Sequence, residues 1–110
     1  MTCEDTTGVR LAWEVQLYDR HARAWLCRAY GRATTTVPPD RIAHAVLAGY
    51  LILCPPGYGD QVRARAWPDD GQPVVVTPDQ LPADRPPVDD AVLQALPRYL
   101  HDVLTVDTAT

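Results

Sequence analysis

The chain has 110 residues, 46% of them apolar and 22% charged, and a formal net charge of −4, which is typical of one globular domain. It contains ten arginines but no lysine, serine, asparagine or phenylalanine, a bias typical of high-GC bacterial genomes. These absences exclude a serine nucleophile, a Schiff-base lysine and a Walker-type phosphate loop. Residues 1–68 hold eight Arg and six acidic residues, whereas residues 69–110 hold two Arg and eight Asp. The acidic second half disfavours general affinity for nucleic acid.

The first two predicted elements are strands over residues 9–18 and 24–31, joined by the turn DRHAR. Along the first strand, apolar side chains alternate with others at the period of a half-buried strand: Leu11, Trp13, Val15 and Leu17. Pairing residues whose numbers sum to 42 gives a hairpin that places Trp13 opposite Ala29, Val15 opposite Cys27, Leu17 opposite Trp25 and Glu14 opposite Arg28. This register predicts that Cys27 faces the core.

A threonine-rich stretch, RATTTV, predicts a short third strand before a helix over residues 39–53. Pro39 suits the first helical turn, where its missing N–H leaves no bond unmade, and Asp40 suits the positive end of the helix dipole. The last two turns of this helix are apolar nearly all round, which predicts cover from the sheet and from a second element. Pro55 then ends the helix.

The second half of the chain predicts two more strands and one more helix. QVRARAW, residues 61–67, alternates small apolar side chains with Arg63, Arg65 and Trp67, and VVVT is expected to pair with it. The segment 88–104 has helical spacing, and Pro97 must kink it or split it in two. The fold expected is therefore one α+β domain over residues 9–104 with flexible termini, 1–8 and 105–110. An antiparallel sheet of four to five strands packs against the helix at 39–53, and the Pro-kinked helix completes the core.

Candidate catalytic and metal-binding residues are few. Cys27 is expected in the core, and Cys54 follows the end of a helix, where the helix dipole opposes a thiolate nucleophile. The three Cys and three His lack the spacing of a zinc site, and three sparse cysteines argue against a disulfide framework. The sequence thus predicts a cytoplasmic, non-enzymatic protein with no metal site, no cofactor and no membrane segment.

The strongest candidate for a binding surface is the outer face of the sheet. If strand 24–31 neighbours strand 61–67, arginines and aromatic side chains interleave on one surface: Arg28, Tyr30, Arg32, Arg63, Arg65 and Trp67. Such a face fits an acidic protein partner, and it also has the composition of a stacking platform for single-stranded nucleic acid. It could equally be covered by the chain's own Asp-rich C-terminal segment.

The main functional prediction is a small regulatory or interaction domain that binds a protein partner through this face or through an edge strand. Homodimerisation through a sheet edge or through the second helix is expected as well, because exposed edges need a cover. Nucleic-acid binding by the same face is the alternative. A further alternative is a small-molecule pocket beside the apolar helix end, lined by Tyr50, Tyr58 and Tyr99.

Overall fold

The computed structural model describes residues 8–57, 60–69, 71–81, 88 and 90–106. Its elements in chain order are strand β1 (Val9–Asp19), strand β2 (Ala24–Thr35), helix α1 (Pro39–Leu53), strand β3 (Val62–Pro68), strand β4 (Val74–Val76), a 3₁₀ turn (Pro78–Gln80), helix α2 (Asp90–Gln94) and helix α3 (Arg98–Val106). This is the α+β domain that the sequence predicts, with four strands in its described part.

The four strands form one antiparallel sheet in the order β2-β1-β3-β4, and the helices lie on one face of it. Helix α1 packs on β1, β3 and β4, and α3 packs on α1. The core between these layers is built from buried apolar side chains of β1, β3, β4, the three helices and the segments beside them, whereas β2 contributes no fully buried side chain. The core residues are Leu11, Trp13, Val15, Val37, Ile42, Ala43, Ala45, Val46, Leu47, Ala48, Val62, Ala64, Ala66, Val76, Val92, Ala95, Leu96, Leu100 and Leu104. The other face of the sheet carries no helix in the described part of the chain.

The predicted register of the β1–β2 hairpin is wrong. Trp13 lies opposite Gly31 and Val15 opposite Ala29, and the pairing then shifts so that Gln16 lies opposite Cys27. Arg28 is the extra residue of this bulge, because no residue of β1 pairs with it. A register change of one residue moves a side chain to the opposite face, and Cys27 is accordingly exposed rather than in the core.

The remaining pairs of the predicted hairpin change with it. Leu17 faces Leu26, Trp25 faces Tyr18, and Glu14 faces Tyr30 instead of Arg28. The threonine-rich stretch is also no separate strand, because β2 runs without interruption from Ala24 to Thr35 and pairs with β1 as far as Val9. The result is a twelve-residue strand at the edge of the sheet.

Helix α1 has the bounds predicted from its proline signals, Pro39–Leu53. Its predicted second cover is α3, which approaches closely at Gly49: a Cβ there would lie 2.8 Å from Cδ2 of Leu100. The cover ends before the helix does, since Ile52 is 51% exposed and Leu53 45% exposed. The end of α1 is therefore less enclosed than its composition predicts.

The C-terminal helical segment is split by Pro97 into α2 and α3, one of the two outcomes that a proline inside the segment allows. Helix α3 continues to Val106, and the predicted flexible ends fall largely outside the described residues. Within the described ranges, no helix combines the length and apolar character that crossing a membrane requires.

Candidate functional site

The outer face of the sheet brings together side chains from β1, β2 and β3, with β1 in the middle. The condition for an interleaved face, that β2 neighbours β3, is not met, because Glu14 of β1 lies between Tyr30 on one side and Arg65 on the other. In the neighbouring row, Ala12 separates Arg32 from Trp67. The predicted surface exists, but a central strand divides it into a β3 part and a β2 part.

The β3 part includes Arg63, whose guanidinium is held by side chains of β1 and β2. Its Nε donates a hydrogen bond to Oε1 of Gln16 at 2.7 Å, and its Cζ lies 4.0 Å from the ring centroid of Trp25. The ring of Tyr18 meets that of Trp25 edge-on, with the centroids 5.3 Å apart. Burial lowers the pKa of Arg63, as does the charge of Arg65, but a guanidinium stays charged at neutral pH.

Arg65 is held more tightly still. Its Nε donates to Oε2 of Glu14 at 2.8 Å, and an Nη donates to the same oxygen. The two side chains are only 32% and 14% exposed, respectively, and the Arg65 guanidinium also lies 5.2 Å from the ring centroid of Trp67. The charge of Arg65 is thus neutralised within the fold, and both guanidiniums bind β3 to the strand beside it.

The β2 part is different, because Arg28, Tyr30 and Arg32 are exposed along the sheet edge. Tyr30 is 78% exposed, more than any other large apolar or aromatic side chain in the described part of the chain. Neither arginine forms an ion pair or ring contact with another described residue. We call these three residues the β2 triad; its two positive charges are available to a partner.

Comparison with known proteins adds no relative. The chain matches no protein-family model, no curated protein and no solved structure. Function therefore has to be argued from the geometry of this surface.

Cys27 is exposed on the surface, although the predicted hairpin register placed it in the core. Its Sγ lies 3.5 Å from the carbonyl oxygen of Ala29. Desolvation raises the pKa of the Cys27 thiol, and the negative charge of Glu14 and a hydrogen bond with it raise the pKa further. A raised pKa leaves less thiolate at neutral pH, so this exposed cysteine is poorly suited to act as a nucleophile.

Two of the three tyrosines predicted to line a pocket lie in the described part of the chain. Tyr50 lies on α1 and packs against the core, whereas Tyr99, 49% exposed, lines a cleft of about 270 Å³ between β2 and the α2–α3 turn. Burial raises the pKa of the Tyr99 hydroxyl. Tyr58 lies outside the described residues, so a pocket containing all three stays a prediction.

Two further observations concern polar groups. In the described ranges, no three His, Cys, Asp or Glu side chains cluster in a way that could hold a metal ion. The indole Nε1–H of Trp13 is buried beneath Gly31 and has no acceptor among the described residues, which costs about 1–3 kcal/mol. Gly31 leaves room for the Trp13 indole beneath β2, since a Cβ at position 31 would lie 2.5 Å from Cζ2 of Trp13.

Proposed function

We propose that this chain is a non-enzymatic interaction domain that binds a protein partner through the β2 triad and the adjoining outer sheet face. The observation that carries the proposal is the exposure of Tyr30 between two arginines that have no ionic partner among the described residues. Tyrosine and arginine are enriched at the centres of protein interfaces, where a ring supplies apolar area and a guanidinium supplies directed hydrogen bonds. An acidic surface is the complement of this chemistry.

Single-stranded nucleic acid fits the surface less well. Stacking successive bases requires several free aromatic faces. Tyr30 is open, but the guanidinium of Arg63 already lies over Trp25, and that of Arg65 lies 5.2 Å from the ring centroid of Trp67. In the middle of the face, the carboxylate of Glu14 neutralises Arg65, so this arginine has no free charge to offer a phosphate backbone. These contacts favour a protein partner over a nucleic acid.

A regulatory role, a cytoplasmic location and a homodimer belong to the same proposal. Cys27 and Cys54 are unpaired thiols, which favours a reducing compartment. The homodimer would use the β4 edge of the sheet, opposite to β2, or the exposed end of α1. It is tested by size-exclusion chromatography with light scattering, read at two concentrations.

The proposal is tested by affinity capture of the tagged chain from cells of its source, comparing two matched charge reversals. Arg32→Glu changes the β2 triad, whereas Arg98→Glu makes the same charge change at an exposed position on α3. We expect Arg32→Glu to remove a captured protein that Arg98→Glu retains. Equal capture by the two variants, with both folded by circular dichroism, would contradict the proposal.

Reversal of Arg65 is not a usable test, although the sequence alone suggests it. A glutamate at this position would face Glu14 in a half-buried setting, and the two carboxylates would destabilise the sheet itself. Loss of binding would then report loss of folding.

A further inference from the structure

We infer that the partner binds as an added β-strand along the free edge of β2, and that it is an extended acidic segment of another protein. This inference rests on the proposed function and specifies how the β2 triad is used. In this mode, backbone hydrogen bonds along the edge supply affinity, and side chains at alternate positions supply specificity.

The orientation of the edge follows from the β1–β3 pairing. The N–H of Tyr18 donates to the carbonyl of Gln61 at 2.9 Å, and the N–H of Asp69 donates to the carbonyl of Arg10 at 3.1 Å. The β1–β3 register between these bonds is unbroken, so the even-numbered residues of β1 direct their backbone groups toward β3. Odd-numbered residues of β1 therefore direct theirs toward β2.

The same alternation gives the direction of the backbone groups of β2 after the bulge, from Ala29 onward. Residues 29, 31 and 33 lie opposite odd-numbered residues of β1 and exchange hydrogen bonds with them. Tyr30, Arg32 and Thr34 consequently direct their N–H and C=O groups away from the sheet. In the described part of the chain β2 pairs with β1 alone, so these groups form a row open to an incoming strand.

Hollows on both sides of this row can receive the side chains of an added strand. On the outer side, a hollow of about 330 Å³ lies between Arg32 and the ion pair of Arg10 with Asp69, so among the described residues Arg32 is its unpaired charge. On the helical side, two adjoining clefts of about 270 and 420 Å³ separate β2 from α2 and the α2–α3 turn and share Thr34, Gln94 and Ala95. Since strand side chains alternate between faces, an occupant would direct every second residue outward and the others into the clefts.

The charges of β2 indicate which side chains an added strand would carry. Strand β2 contains Arg28 and Arg32 and no acidic residue, so acidic side chains are favoured at the outward positions of the added strand. Small or apolar side chains suit the inward positions, because Ala95, Leu96 and Pro97 line the 270 Å³ cleft. A second copy of β2 is disfavoured, since it would bring four arginines onto one pair of strands.

The test uses a ten-residue peptide of alternating valine and glutamate, capped at both ends, and the ¹⁵N-labelled full chain. We expect amide hydrogen exchange at Tyr30, Arg32 and Thr34 to slow by about 10-fold or more on binding. Ala29 and Gly31, already bonded to β1, should change much less. A peptide of alternating valine and lysine is the matched control and should not bind.

A backbone variant separates strand addition from side-chain contact. Thr34→Pro removes one outward N–H at an edge position that tolerates proline, while Thr34→Val retains it. We expect Thr34→Pro to weaken binding of the valine–glutamate peptide about 2- to 10-fold relative to Thr34→Val. If Thr34→Pro does not fold, the hydrogen-exchange pattern of the wild-type chain with the valine–glutamate peptide alone tests whether the peptide binds as an added strand.

Each remaining outcome overturns the inference. If Arg32→Glu abolishes binding but protection lacks a period of two, the partner lies across the face, and the proposed function stands without the added strand. If no peptide binds although cellular capture still depends on Arg32, the partner uses another chemistry. If the edge amides are protected in the protein alone and light scattering finds a dimer, a second copy is the occupant.

Discussion

Gly31→Ala gives the most direct test of how β2 packs on the core. Gly31 sits inside a strand, where alanine is normally preferred by about 0.5–1 kcal/mol. In this fold a Cβ would lie 2.5 Å from Cζ2, 2.8 Å from Cε2 and 3.0 Å from Nε1 of Trp13. Carbon atoms in contact normally lie about 3.5–4.0 Å apart, so the indole has to move by about 1 Å.

The indole has little room for this movement, because Trp13 is only 1% exposed. Overpacking of this kind costs about 1–3 kcal/mol, which exceeds the intrinsic gain from alanine. We therefore expect Gly31→Ala to destabilise the fold by about 1–2 kcal/mol in urea unfolding. The melting temperature should fall by roughly 4–8 °C for each kcal/mol.

A second substitution identifies the cause. Trp13→Phe removes the edge of the ring that faces Gly31, together with the unpartnered Nε1–H, so Gly31→Ala should cost little in that background. The double-mutant cycle should give a coupling free energy of about 1 kcal/mol or more. A neutral or stabilising Gly31→Ala, or a coupling near zero, would refute the proposed packing.

Three further predictions test the outer face and its hairpin. Arg65→Met should destabilise the fold by about 1–3 kcal/mol in urea unfolding, because it leaves the Glu14 carboxylate unpaired. Arg32→Met, its control, should change the free energy of unfolding by less than about 0.5 kcal/mol, and equal effects of the two variants would contradict the ion pair. In a variant that keeps Cys27 as its only cysteine, the rate of alkylation by iodoacetamide should rise with pH to a midpoint above the ordinary thiol pKa. Glu14→Gln should lower that midpoint and speed the reaction at pH 8, because it removes one of the causes of the raised pKa. An unchanged pH profile would show that Glu14 has no such effect. Arg23 has φ of 55°, so Arg23→Gly should stabilise the hairpin by roughly 0.5–1 kcal/mol, and Arg23→Ala, its control, should not; a loss of melting temperature in the glycine variant would count against strain at this turn.

The elements that the sequence predicted well are those with a strong period or a strong stop signal. Alternation identified β1 and β3 together with their buried faces, and two prolines fixed the start of α1. In each case one local rule acts on adjacent residues, so no knowledge of distant contacts is needed.

The register of the β1–β2 hairpin could not be read in this way, because it depends on contacts through the core. Several pairings put apolar residues on the same face, and a bulge changes the register within the strand. A usable signal was nevertheless present. In the observed register, the three buried apolar side chains of β1 lie opposite small residues of β2: Leu11 opposite Ala33, Trp13 opposite Gly31 and Val15 opposite Ala29.

The candidate site was predicted in composition but not in arrangement. The six residues do lie on or beside the outer face, yet their separation into a self-contained β3 part and an open β2 part depends on strand order. Strand order is set by long-range packing, which period and propensity do not report. The roles of Gln16 and Glu14 in holding the β3 arginines were missed for the same reason.

Site-specific photo-crosslinking in cells of the source tests the central claim most directly. A photoreactive phenylalanine analogue is placed either at Tyr30, in the β2 triad, or at Ile52, at the exposed end of α1. We predict that position 30 crosslinks to another protein through an acidic segment, that Arg32→Glu removes this crosslink, and that position 52 does not form it. Crosslinking from position 52 alone, or from position 30 only to a second copy or to nucleic acid, would contradict the account.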